Sequence, residues 1–195
     1  FRPSYLQIAE IRQLLPGVPV LALTATATPE VVDDIQVRLN FPQKNLFQKS
    51  FERQNLVYVV RYVEDKLEQL VHILNRVPVT SVVYVRSRKK TKEIADFLVQ
   101  QGLSADYFHA GLSDEQKDRK QKAWKSGDCR VIVSTNAFGM GIDKPDVRTV
   151  VHMDLPDTLE AYFQEAGRAG RDEQRAFAIL LYNKTDETKL KKRIN

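Results

Sequence analysis

The chain has 195 residues, 43% hydrophobic and 28% charged, with 30 lysines and arginines against 25 acidic residues and a net charge of +5. That is enough for one large domain, or one domain with extra material, around a packed core; the basic excess suits a polyanionic partner without demonstrating one. The single cysteine, Cys129, excludes an internal disulfide and a cysteine-based metal cluster and points to a reducing compartment, and no apolar run or leader pattern indicates a membrane span or signal peptide.

Apolar spacing predicts a helix over 4–15, stopped by Pro16-Gly17, then a buried strand over Val18 to Leu23 that runs into Thr24-Ala25-Thr26-Ala27-Thr28. Thr28-Pro29-Glu30 is a helix start, with a threonine cap, proline in the first turn and an acid on the dipole. That helix runs to about Leu39, and residues 43–54 read as a linker. From Asn55 onward strands and helices alternate: strands at 56–62, 80–85, 105–108, 130–134, 149–153 and 176–182, and helices at 64–76, 88–101, 113–126 and from Asp157. Ser113 with Gln116 forms a capping box, and Asp157 with Glu160 resembles a second one. This alternation predicts an α/β fold, a parallel sheet covered by helices on both faces. It occupies residues 54–195, behind residues 1–53 as the tail of another domain and a linker. With Phe1 at its start and a charged helix-like segment at its end, the chain reads as a fragment.

The stretch from Tyr162 to Asp172 carries the densest chemistry. Gln164, Arg168 and Arg171 are four and then three residues apart, which on a helix places them on one face. Gly167 and Gly170 between them each cost about 1 kcal/mol in a helix, so something must approach closely and meet both guanidinium groups. Planar charged forks facing a cleft suit a polyphosphate; the alternative is a solvated helix end with two surface arginines. Three further loops leave the carboxyl ends of strands, where ligands bind in such sheets. Ser134-Thr135-Asn136 opens a loop through Gly139, Gly141 and Asp143 whose hydroxyls and amides can hold a phosphate. Lys144 stands where a third glycine would complete a dinucleotide fingerprint, so that reading fails. Arg86-Ser87-Arg88-Lys89-Lys90 puts cations in a helix's first turn, against its dipole, which an anion at that terminus would explain; a solvated basic face is the alternative. His109, in Phe108-His109-Ala110-Gly111-Leu112, reads by itself as structural. The three histidines have no metal-ligand spacing, and no Gly-x-x-x-x-Gly-Lys-Ser/Thr loop occurs.

Together these segments resemble the RecQ family of ATP-dependent DNA helicases in superfamily two, over nearly the whole chain. Phe1-Arg2-Pro3-Ser4-Tyr5 looks like the segment after that family's acidic ATPase motif, and Leu21 through Thr28 like motif III. Ser50-Phe51-Glu52-Arg53-Gln54-Asn55-Leu56 is similar to the junction into the second RecA-like domain, Tyr84 through Lys90 to motif IV and Phe108 through Leu112 to the loop that follows it. Ser134 through Arg148 is similar to motif V, and Gln164 through Asp172 to motif VI. The resemblance implies that Arg168 and Arg171 reach ATP phosphates across an interdomain cleft, with Gln164 coupling that site to DNA and Asp143 and Gly141 near the nucleotide. It implies that Arg86, Ser87, Arg88, His109, Ser134, Thr135 and Asn136 hold the sugar-phosphate of one DNA strand, and that Thr24 and Thr26 transmit between the sites. Arg86 departs from the family's frequent asparagine and Glu173 from its usual glycine.

What the resemblance implies for the whole protein is an ATP-driven 3′→5′ DNA-unwinding enzyme of repair and recombination, cytoplasmic and nucleoid-associated in a bacterium or nuclear in a eukaryote. ATP and Mg²⁺ would be its cofactors, the Mg²⁺ ligands and phosphate-cradling loop lying upstream, and zinc would bind only in a downstream module. Its partners would be single-stranded and duplex DNA and the first RecA-like domain of the same chain, with no membrane. Alone, the chain is expected to lack ATPase activity. A non-enzymatic binding module and an RNA-directed relative are the competing classes, and glutamine rather than histidine at position 164 favours the RecQ-like one.

Overall fold

The computed structural model describes residues 7–24, 27–48, 50, 52–138 and 143–194, with the backbone alone at 193 and 194. They form two compact units, Phe1–Glu52 and Arg53–Asn195.

The first unit holds α1 (Ile8–Leu14) and α2 (Pro29–Arg38). Thr28 caps α2 through its hydroxyl, which accepts from the Val31 amide, with Pro29 in the first turn. Arg12 ties the two helices together by donating to the Leu39 carbonyl at 2.5 Å and lying over the Phe41 ring. The strand expected over Val18 to Leu23 does not form: these residues belong to no regular element, and Leu21 and Leu23 are exposed. A strand needs a ladder, and among the described residues of this unit there is no other strand to supply one.

The second unit is one six-stranded parallel sheet in the order β1-β6-β5-β2-β4-β3. Its strands are β1 (Leu56–Tyr62), β2 (Ser81–Tyr84), β3 (Ala105–Phe108), β4 (Val131–Ser134), β5 (Thr149–His152) and β6 (Ala176–Tyr182). The central strands β2, β4 and β5 are buried along their whole length, as a parallel sheet covered on both faces requires. On one face α3 (Lys66–Arg76) and α4 (Arg88–Gln100) place Leu70, Leu74, Ile94 and Leu98 against Val83, Val131, Val133 and Val151. On the other, α5 (Asp114–Ser126) and α6 (Leu159–Ala166) contribute Trp124 and Ala166 to a layer with Phe138, Val82, Ile132 and Val150. A further helix, α7 (Lys184–Ile194), follows β6. The capping box of α5 forms as expected, Ser113 accepting from the Gln116 amide and Gln116 from the Ser113 amide.

The connection from β4 crosses over β2 to reach β5, so the strand order reverses between β2 and β5. The crevice at the carboxyl ends of these strands is where an open parallel sheet receives ligands.

Candidate functional site

The Tyr162–Asp172 stretch is not one helix. Helix α6 begins at Thr158, whose hydroxyl accepts from the Ala161 amide at 3.1 Å, so the cap is Thr158 and not an Asp157–Glu160 pair. It ends at Gly167, whose N–H donates to the Phe163 carbonyl at 2.8 Å, and the chain continues in turns through Asp172. Gln164 therefore stands exposed on the helix, whereas Arg168 and Arg171 lie beyond it, and the expected shared helix face is corrected. The glycines have a different reason from the one the sequence suggested. Gly170 has φ +63°, and a Cβ there would lie 2.6 Å from Asn55 Nδ2, 2.8 Å from the Gln174 carbonyl oxygen and 2.9 Å from the Ala176 Cβ. What comes close to Gly170 is the chain itself. Glu173 also adopts a positive φ, 65°, at the position where the resembling family carries glycine. Glu173→Gly is expected to raise stability by about 0.5–1 kcal/mol in thermal unfolding, because a left-handed residue with a Cβ is strained; a lower melting temperature would contradict this.

The turn crosses one sheet face and brings Arg168 and Arg171 to different partners. Gly170 donates to the Val147 carbonyl at 2.8 Å, and the Arg148 guanidinium grips both oxygens of the Asp172 carboxylate. That bidentate contact holds the Asp172 pKa below its ordinary value, chiefly through the hydrogen bond from Arg148. Arg171 Nη1 lies 2.9 Å from Asp143 Oδ1, both side chains partly open to solvent, so these two sequence-predicted residues meet. The Arg168 charge lies near the Tyr84 hydroxyl, which donates to the Phe138 carbonyl at 3.2 Å. Burial, the largest cause, pushes the Tyr84 pKa far up and keeps the phenol neutral. The Tyr84 ring stacks on His152, centroids 5.2 Å apart, and His152 Nε2 is 2.8 Å from Glu165 Oε2.

Sequence reasoning missed Tyr84, His152 and Glu165, which form a buried polar chain behind Arg168. The available signal was a polar-tipped aromatic ring closing each of two otherwise apolar central strands, Ser-Val-Val-Tyr and Thr-Val-Val-His.

The other predicted residues gather at the carboxyl ends of β2, β3 and β4. A cleft of about 110 Å³ lies there, lined by Tyr84, Arg86, Thr135, Asn136, Asp157 and Glu165 among others. Asn136 is exposed, and Thr135 is nearly covered with its hydroxyl accepting from the Ala137 amide. Ser134 is fully buried and its hydroxyl donates to the Phe108 carbonyl at 2.9 Å, bracing β4 against β3. Its expected place on a phosphate is corrected, since no surface of the side chain reaches solvent. Arg86 is ion-paired with Asp157, and its amide donates to Asp154 Oδ2 at 3.0 Å. Ser87 occupies the N-cap of α4 without a side-chain capping bond. Arg88 reaches across to the Gly111 turn, where a Cβ would meet its Nη1 at 3.1 Å. His109 sits beside Tyr107, with Nδ1 buried and no hydrogen-bond partner among the described residues. Burial first, then the charges of Arg88 and Lys120, lower its pKa from the ordinary histidine value. Thr24 is exposed in the first unit; Thr26 and Gly141 lie outside the described residues. Among the described residues no cluster of three or more His, Cys, Asp or Glu is arranged to hold a metal, and no helix is long and apolar enough to cross a membrane.

A six-stranded parallel sheet with helices on both faces, a polar crevice at its strand-order reversal and an arginine-bearing turn across one face define an α/β domain of the RecA-like kind. Residues 65–173 match the helicase conserved C-terminal domain, and the chain belongs to that family, in its RecQ group. Over 199 residues it is 43% identical to the RecQ-like DNA helicase BLM of Xenopus laevis, covering 100% of this chain and 15% of that protein. Over 201 residues it is 39% identical to the RecQ-like DNA helicase blm-1 of Caenorhabditis elegans, covering 100% and 20%. The chain thus spans a fifth or less of these relatives' length. In the solved structures, the E. coli DEAD-box protein SrmB, crystallised with regulator of ribonuclease activity A, superposes with a TM-score of 0.64 and 28% identity over 72% of this chain and 85% of that one.

Proposed function

We propose that residues 54–195 are the second motor domain of a RecQ-type ATP-dependent DNA helicase that moves 3′→5′ on single strands and unwinds duplexes in repair and recombination. Residues 1–53 are then the tail of the first motor domain, where Thr24 and Thr26 transmit between nucleotide and DNA. The observation that carries this reading is the turn presenting Arg168 and Arg171, with Arg171 already against Asp143. Both arginines meet the phosphates of ATP, with Asp143 and Gly141 beside the nucleotide and Gln164 relaying to the DNA. Binding and turnover of ATP need phosphate-cradling and Mg²⁺-binding groups from elsewhere in the whole protein, and none of these residues acts through a metal. Zinc is assigned only to a further module of that protein. The DNA strand follows the carboxyl-end loops through Arg88, Ser87, Thr135 and Asn136, with Arg86 joining when Asp157 releases it.

The test is a comparison of the full-length protein with this chain. The former should hydrolyse ATP in response to single-stranded DNA and the latter not at all; DNA-independent behaviour of the full-length protein would reject the reading. This chain should still bind single-stranded DNA weakly and without sequence preference, because its groups meet phosphates rather than base edges. Roughly three phosphate contacts at about −0.7 each give a log–log salt slope near −2, and about a twentyfold loss of affinity between 50 and 200 mM salt. Fluorescence anisotropy with a labelled oligonucleotide measures this, and tight binding with a flat salt response would contradict it. In the same titration Asp157→Asn frees Arg86 for one more phosphate, steepening the slope by about 0.7 and tightening binding by up to about fivefold at 0.1 M salt. Unchanged or weaker binding would remove Arg86 from the DNA path.

A further inference from the structure

We propose that Arg53 and Asn55 are positioning residues for the arginine pair, a clamp through which the chain leading into the second unit sets where Arg168 and Arg171 stand; this rests on the function proposed above. Arg53 is the first residue of that unit, 116 residues away in sequence from the turn that it holds. Its Nη2 donates to the Gly170 carbonyl at 2.5 Å and to the Ala169 carbonyl at 3.3 Å, the carbonyls of the two residues that stand between Arg168 and Arg171. Its Nε donates to Asn55 Oδ1 at 3.3 Å, which orients the Asn55 amide to donate to the Gly170 carbonyl at 2.7 Å and the Gln174 carbonyl at 2.9 Å. The Gly170 carbonyl thus receives both side chains, and the Ala169–Gly170 peptide is held on both sides, its carbonyl by Arg53 and its N–H by the Val147 carbonyl.

Asn55 is anchored in turn: its own carbonyl accepts from the Ala176 amide at 2.9 Å at the start of β6. With φ positive and Asn55 Nδ2 only 2.6 Å from where its Cβ would be, Gly170 is the residue that lets the clamp close. A guanidinium donating to carbonyls makes charge-assisted bonds, and its fork reaches both Asn55 and the turn, which an ammonium cannot do at once.

The experiment uses the full-length protein, comparing Arg53→Ala, Asn55→Ala, Arg53→Lys and Arg168→Ala for ATP turnover, KM for ATP, single-stranded DNA affinity and melting temperature. Misplacing catalytic groups by about 1 Å can cost about 100-fold. Arg53→Ala and Asn55→Ala should accordingly lower kcat by about 10- to 100-fold, with KM and DNA affinity within about threefold of wild type, and Arg53→Lys should recover part of the loss. In Arg53→Ala/Arg168→Ala the loss should be smaller than the product of the two single losses, since the part of the clamp's effect that acts through Arg168 is already gone and only the part through Arg171 remains. A kcat within about threefold in both alanine variants, or a loss of kcat, KM and DNA affinity together that follows the loss of folded protein, overturns the proposal. If Arg168→Ala leaves turnover intact, the functional reading fails and takes the clamp with it. If Arg168→Ala abolishes turnover while Arg53→Ala does not lower it, only the clamp fails.

Discussion

Alanine at Arg168 or at Arg171 in the full-length protein is expected to lower ATP turnover by about 10³- to 10⁵-fold while changing nucleotide affinity far less. An arginine that meets charge developing on a transferred phosphoryl group acts mainly in the transition state, so its loss appears in kcat. The two residues start from different holds. Arg171 is paired with Asp143 at the surface, and such a pair is worth only about 0–1 kcal/mol, so a polyphosphate can take the guanidinium over at little cost. Arg168 is half-buried, with its charge near the Tyr84 hydroxyl and the His152–Glu165 pair behind that ring. The geometry therefore assigns Arg168 the more enclosed position and Arg171 the exchangeable one. Arg→Lys at either should restore little, because a single ammonium does not reproduce the planar fork. Steady-state ATPase assays with saturating single-stranded DNA decide the matter; rates within about threefold of wild type for both alanine variants would remove these residues from the chemistry.

The parts of the fold that could be read in the sequence are those that local chemistry dictates. Val131-Ile132-Val133 and Thr149-Val150-Val151 can only be buried strands, and Ser113 with Gln116 can only open a helix, so β4, β5 and α5 fall where expected. Expectation failed where long-range partners decide. Val18 to Leu23 carries a strand's composition, but a strand exists only through a neighbour. The spacing of Gln164, Arg168 and Arg171 is helical by arithmetic, yet Gly170 takes a left-handed conformation to meet Asn55, and a periodicity argument cannot see a contact 115 residues away. The candidate site divides the same way. Arg171 and Asp143, far apart in sequence, form an ion pair, and Arg88 and His109 converge on the Gly111 turn. The resemblance places Ser134 and Arg86 on a DNA strand, but the fold engages both side chains itself, one on the Phe108 carbonyl and the other on Asp157.

Gly170→Ala tests how tightly the turn is built, and it is expected to cost more stability than either Gly102→Ala or Asn55→Ala. A left-handed conformation costs a residue with a Cβ about 1–2 kcal/mol, and forcing a methyl group into filled space costs about 1–3 kcal/mol more. The Cβ would stand 2.6–2.9 Å from three different groups, of which the Gln174 carbonyl and the Ala176 Cβ have no freedom to swing away. The sum is a loss of about 2–5 kcal/mol, or roughly 6–15 °C in the Tm of the unit that carries it. Gly102 supplies the control, because its φ is +77° but nothing lies within 4 Å of its Cβ position. Gly102→Ala should lose only the backbone part, about 1–2 kcal/mol. Asn55→Ala removes the closest of the three contacts, so Asn55→Ala/Gly170→Ala should be less destabilised than the sum of its parts by about 1 kcal/mol or more. Neighbours in contact couple by about 0.5–3 kcal/mol, whereas independent sites add to within about 0.5 kcal/mol. Chemical denaturation of the four variants gives each value. Equal losses at Gly102 and Gly170, or simple additivity with Asn55, would mean that the turn yields to the new methyl group and that the close approach of Asn55 is not what holds it.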